Sequence, residues 1–84
     1  MNTVSKKLIK PTAAGIQEMA RGYFSVDVRN GSVSMTEADG FIDKILGTYT
    51  NVLCRYITYE TGHRCLLVTS LTGRAKYFQI KITD

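Results

Sequence analysis

VLCRYITYETGHRCLLVTSLTGRAKYFQIKI, residues 52 to 82, is the stretch whose reading decides the fold. It divides into three β-strands, Leu53 to Tyr59, Arg64 to Ser70 and Ala75 to Ile82, separated by Thr61-Gly62 and Thr72-Gly73. Each run is rich in β-branched, aromatic and aliphatic side chains, and each glycine accepts the positive φ of a tight turn without steric penalty. The expectation is an antiparallel meander whose register depends on turn length. Two-residue Thr-Gly loops would put Cys54, Tyr56, Cys65, Leu67, Phe78 and Ile80 on one face. Three-residue loops ending in Gly, a type I turn with a bulge, exchange Cys65 and Leu67 for Leu66 and Val68. The second register is favoured, because a β-branched Thr fits poorly at the left-handed first position of a type I′ turn. In both, Phe78, Ile80 and Ile82 share a face with Tyr56, and that face is expected to receive a helix.

The opposite face then carries Leu53, Arg55, Ile57, Tyr59, Tyr77, Gln79 and Lys81. This mixture of aliphatic, tyrosine and basic side chains is unlike a fully solvated face and resembles the aromatic and Arg enrichment of interface centres. Coverage by the first helix, as part of a layered core, is the alternative explanation of the same residues.

Outward from the meander, Phe41, Ile42, Ile45 and Leu46 form the apolar stripe of a helix capped by Thr36. Glu37, Asp39 and Asp43 lie toward its positive end, Lys44 faces away and Gly47 suits a left-handed stop. Before it, Phe24, Val26 and Val28 alternate with polar residues, and Asn30-Gly31 supplies a type I′ turn. The resulting hairpin pairs Val28 with Val33 and Val26 with Met35. Earlier still, Thr12 caps a short helix with Ile16, Met19, Ala20 and Tyr23 on its apolar side and Gly22 as its stop. The fold class expected is α+β: two short helices with an antiparallel sheet, in the order helix, β-hairpin, helix, three-stranded β-meander. Residues 1-11 read as a flexible basic N-terminal arm ending at Pro11, in which Val4, Leu8 and Ile9 are the residues able to dock, and residues 12-84 as a single domain.

The 84 residues leave no room for a second core, since separate domains need on the order of 50 residues or more each. At 44% hydrophobic and 21% charged the chain lies outside the compositional range of disorder. A domain this small buries only about 60% of the surface of its unfolded chain, which favours extra stability from a partner or a second copy. The net charge of +4 is spread: Lys6, Lys7 and Lys10 against Glu18 in residues 1-20, and eight Lys/Arg against six Asp/Glu in the rest. That balance permits an acidic protein surface or nucleic acid as partner without requiring either. No apolar stretch approaches the roughly 18 residues that span a bilayer, and no apolar core of a signal peptide follows the basic start. Cys54 and Cys65 fall opposite one another in neither register, so both are expected as reduced thiols of a cytoplasmic protein.

Chemistry-bearing constellations are sparse. His63 beside the Thr61-Gly62 turn has Glu60 as its one nearby orienting group, and no Ser or Cys is spaced to complete a nucleophile. Cys54, Cys65 and His63 match no zinc spacing, and neither Thr-Gly loop precedes a helix that would hold an anion. The expectation is a non-enzymatic binding or regulatory protein, an adaptor or inhibitor, with no cofactor and no metal. Its binding residues would be Arg55, Ile57, Tyr59, Tyr77, Gln79 and Lys81. They would engage a protein partner or, as a homodimer, the chain's own copy, with an edge strand as the other route. The alternative is a nucleic-acid-binding protein using Lys6, Lys7, Lys10, Arg55, Tyr59, Tyr77 and Lys81, although no RNP-type run or helix-turn-helix pair is present.

Overall fold

The computed structural model describes residues 8–24 and 31–83. Its elements are α1 (Ala13–Phe24), β1 (Ser32–Val33), α2 (Met35–Leu46), β2 (Val52–Thr58), β3 (Arg64–Ser70) and β4 (Lys76–Ile82). The four strands form one sheet in the order β1-β4-β3-β2. β2, β3 and β4 are the antiparallel meander, and β1 adds to β4 in parallel through Ser32–Lys81 and Val33–Ile82. The α+β class holds, with one parallel pair in an otherwise antiparallel sheet.

The turns explain the register. Tyr59 N–H donates to the His63 carbonyl at 2.8 Å, Gly62 N–H donates to the Tyr59 carbonyl at 2.8 Å, and Gly62 has φ 92°. This is the three-residue loop with a terminal Gly, and it sets Cys54 opposite Val68 and Tyr56 opposite Leu66. The second loop differs from expectation. Ser70 N–H bonds the Ala75 carbonyl, so Leu71, Thr72, Gly73 and Arg74 lie outside the ladder, one residue more than in the first turn. Further along, Thr69 pairs with Lys76 but Val68 with Phe78, leaving Tyr77 as an extra residue in β4. The longer loop and the bulge together shift β4 by two positions, and a two-residue shift preserves side-chain alternation. Leu66 and Val68 therefore still face Phe78 and Ile80's side of the sheet.

Both helices cover that side. Ile16, Ala20 and Phe24 of α1 and Ala38, Phe41 and Ile45 of α2 join Val33, Tyr49, Val52, Leu66, Val68, Phe78, Ile80 and Ile82 in one buried cluster. Phe24, Phe41 and Phe78 are mutually in contact, with ring centroids 4.9 to 6.4 Å apart. Burying one such ring contributes roughly 1.5–3 kcal/mol, so this triangle is a principal tie between helices and sheet.

Several local readings are corrected. Thr12 does cap α1, accepting from Gly15 N–H at 3.0 Å, but Gly22 does not stop it: the helix continues through Phe24 because that ring completes the 16, 20, 24 stripe. Tyr23 and Phe24 are thus helical rather than the start of a strand. The N-cap of α2 is Ser34, not Thr36, in a capping box where Ser34 Oγ accepts from Glu37 N–H and Glu37 accepts from Ser34 N–H. Met35 is consequently the first residue of α2, which removes it from the expected pairing with Val26, and Val33 pairs in parallel with Ile82. Val26, Val28 and Asn30 lie outside the described residues. Gly47 is right-handed, φ −85°, and the positive φ falls at Asn51. Leu46, assigned to the apolar stripe, is exposed, and Ala38 takes its place in the core. In the expected arm, Ile9 forms a parallel bridge with Tyr49, its N–H donating to Thr48 and its carbonyl accepting from Thr50.

Candidate functional site: the uncovered face of the sheet

Alternation along the strands places Leu53, Arg55 and Ile57 of β2, Cys65, Leu67 and Thr69 of β3, and Lys76, Gln79 and Lys81 of β4 on the side away from the core cluster. No helix among the described residues packs there, since α1 and α2 both contribute to the cluster on the other side. Coverage by the first helix, the competing reading, is therefore not what the structure adopts. The central row is nonetheless largely shielded: Cys65, Leu67 and Thr69 are buried.

One contact on this face is resolved in detail. Gln79 Nε2 donates to Tyr59 Oη at 2.7 Å, and Lys76 Nζ donates to Gln79 Oε1 at 3.3 Å. Tyr59, at the end of β2, and Gln79, in β4, are separated by β3, so this bond crosses above the middle strand. It fixes the Gln79 amide with its oxygen toward Lys76 and its nitrogen toward the tyrosine. Tyr59 remains 44% exposed, Ile57 half-buried, and Arg55 and Lys81 exposed. Arg55, Ile57, Tyr59, Gln79 and Lys81 are thus brought onto one surface, as expected from the sequence.

Tyr77 departs from this group. As the bulge residue it is half-buried and packs against the core cluster, and its carbonyl accepts from Gln17 Nε2 of α1 at 3.1 Å. The same bulge turns Lys76, opposite Thr69, onto the uncovered face, where uninterrupted alternation from Phe78 would not have put it. Lys76 is the residue that sequence reasoning missed. Its signal is long-range, because a bulge is defined by the partner strand and not by the residues that form it.

The electrostatics of the sheet are one-sided. From residue 52 to residue 83 the chain carries Arg55, Arg64, Arg74, Lys76 and Lys81 against Glu60 alone, and none of the three long strands contains a carboxylate. The acids collect instead on α2 as Glu37, Asp39 and Asp43. Arg55, Lys76 and Lys81 therefore present a field on the uncovered face that no acidic neighbour within the strands offsets.

Titration chemistry lies elsewhere. Tyr56, on the helix side, donates its hydroxyl to Asp39 Oδ1. Its pKa is pushed up to about 12, first by desolvation, then by that bond and by the charges of Asp39 and Cys54, with Arg64 opposing. Burial also pushes the Cys54 thiol up, which disfavours the thiolate nucleophile. His63 Nδ1 lies 2.9 Å from Thr61 Oγ1 within its own turn, a local contact that ties the imidazole to the loop. Cys54 and Cys65 are free, and no group of three metal-ligating side chains occurs among the described residues. No helix among them is long and apolar enough to cross a membrane. No protein-family model matches the chain, and neither curated proteins nor solved structures yield a match.

Proposed function

We propose that this chain is a small non-enzymatic binding protein, an adaptor or inhibitor, that engages an acidic protein surface through the uncovered sheet face. The observation that carries this reading is the pairing of an aliphatic floor, Leu53, Ile57 and Leu67, with Arg55, Lys76 and Lys81 and no strand carboxylate. Apolar centres edged with polar or charged groups are the usual anatomy of a protein interface. Tyr59, partly exposed and oriented by Gln79, is an amphipathic anchor of the kind that concentrates binding energy.

Nucleic acid is the second reading, favoured by the same cations. The central strand weakens it, because β3 offers Cys65, Leu67 and Thr69 to this face rather than the aromatic rings on which bases stack. Of the arm lysines assigned to that role, Lys10 is exposed beside the Ile9 bridge, and Lys6 and Lys7 lie outside the described residues.

The test pairs affinity capture from the native host, with nuclease treatment, against a titration with mixed oligonucleotides at low salt. A protein retained after nuclease by the wild type and lost by Arg55→Glu with Lys81→Glu supports the proposal. Capture that the double substitution leaves unchanged overturns it. Binding to oligonucleotides with a steep salt dependence replaces it by the nucleic-acid reading.

A further inference from the structure

We propose that the open edge of β2 pairs with the β2 edge of a second copy, joining two four-stranded sheets into one. The proposal concerns the strand edge and stands whether or not the face binds a partner. β2 is terminal in the sheet order, so one side of its backbone meets no strand among the described residues. Tyr59 N–H bonds the His63 carbonyl, and antiparallel alternation from that pair turns the N–H and C=O of Val52, Cys54, Tyr56 and Thr58 outward.

Sheets ordinarily blunt such an edge with Pro, Lys, a bulge or brevity. β1, the other edge, is two residues long. β2 has no Pro, Lys or bulge and is not short, and its one charge is Arg55: it is seven residues, VLCRYIT, in unbroken register with β3. Its burial shows what the edge lacks. Leu53, Cys54, Tyr56 and Ile57 are only half-buried, while Thr69, Val68, Leu66 and Cys65, their direct partners in β3, are all buried. A neighbouring strand would close that difference.

The strand's own sequence selects a second copy and a register. Two-fold antiparallel pairing must bring outward-facing residues opposite one another, which leaves three alignments of useful length. The one centred on Arg55 sets two guanidinium groups face to face and is unfavourable. The one centred on Cys54 brings the second copy's Thr58 opposite Thr50, whose N–H is already given to Ile9. Centring on Tyr56 avoids both. It pairs Cys54 with the second copy's Thr58 and Tyr56 with the second copy's Tyr56, and sets Arg55 against an isoleucine. All helices then lie on one side of the joined sheet and both uncovered faces on the other.

The wild-type protein is therefore expected to sediment at twice its chain mass from micromolar concentration upward. Thr58→Pro is the discriminating variant: residue 58 is exposed and its N–H points away from β3, so proline leaves the β2–β3 ladder intact. It deletes one donor from each copy, and the dissociation constant should rise roughly tenfold or more. Tyr56→Pro should act likewise, and Tyr56→Phe controls for loss of the Asp39 bond. Circular dichroism verifies that each variant folds. A monomeric wild type at all concentrations overturns the proposal, as does a wild-type dimer that persists in folded Thr58→Pro and Tyr56→Pro. A dimer lost in Tyr56→Pro but kept in Thr58→Pro overturns the register. An unrelated extended peptide that binds a monomeric wild type and competes with none of its own copies also overturns it.

Discussion

Leu66 and Leu67 are adjacent, chemically identical, and nearly equal in exposure at 0% and 8%, yet they lie on opposite faces of the sheet. Replacing each by alanine measures what covers that face. Leu→Ala removes the equivalent of three buried carbons, about 2.4 kcal/mol at roughly 0.8 kcal/mol per CH2. At Leu66 a cavity term adds to this, because the site is enclosed in the cluster with Phe41, Val68 and Ile80, and the total should reach roughly 3–5 kcal/mol. At Leu67 the direct cross-strand neighbours are Arg55 and Gln79, whose long side chains can relax into the space, so the loss should be about 1–2 kcal/mol. Small domains have only about 5–15 kcal/mol of stability, so Leu66→Ala should lie near the limit of folding. The assay is urea denaturation followed by far-ultraviolet circular dichroism at one protein concentration, comparing midpoints at constant slope. A loss at Leu67 equal to or greater than that at Leu66 would refute the assignment of faces, and with it the uncovered surface.

Tyr56 should give an absorbance step near pH 12, and Tyr56→Phe should delete that step. Its folded pKa is raised above the ordinary value of 10, so the protonated hydroxyl is the form that folding favours. The associated stability is complete below pH 10 and lost as pH rises through 12, a loss that should be smaller in Tyr56→Phe when melting temperatures are compared. Two glycines should respond in opposite directions to alanine: Gly62, at φ 92°, should lose roughly 1–2 kcal/mol. Gly22 lies within α1 with open space for a methyl group, and there alanine should gain up to about 1 kcal/mol. A loss at Gly22 measured by the same denaturation assay would mean that the helix does not need to continue to Phe24.

The meander was legible because its information is local. Thr61-Gly62 and Thr72-Gly73 mark the turns, and the poor fit of Thr to a type I′ turn chose the three-residue first turn that the structure adopts, while the second turn is a residue longer and is followed by a bulge. The face residues Arg55, Ile57, Gln79 and Lys81 followed from alternation alone. What was illegible depends on distant partners. Phe24 fits both the two-residue period of the following segment and the 16, 20, 24 stripe of α1, and only its contacts with Phe41 and Phe78 select the helix. β1 is two residues whose parallel pairing to β4 has no sequence signature. The cap was readable in principle: Ser34 has Glu37 three positions on, the capping-box spacing, whereas Thr36 has Asp39, whose carboxylate instead accepts from Tyr56.

The asymmetry of charge links the edge and the face. With Tyr56 at the two-fold axis, the two copies' Arg55 side chains would be diagonal neighbours on the joined sheet, a separation of roughly 7–8 Å between backbone positions. Six lysine and arginine side chains, Arg55, Lys76 and Lys81 from each copy, would then share one continuous surface, with the α2 carboxylates on the opposite side. Self-repulsion among them opposes assembly at low salt, and an acidic partner relieves it. Partner binding and dimer formation should therefore strengthen one another, and by linkage each must favour the other by the same factor. Added salt should tighten the free dimer by screening the arginines while weakening the complex with an acidic surface. Opposite salt responses of the two equilibria are what this arrangement of charge requires; parallel responses would mean that the cations of the face do not act as a group.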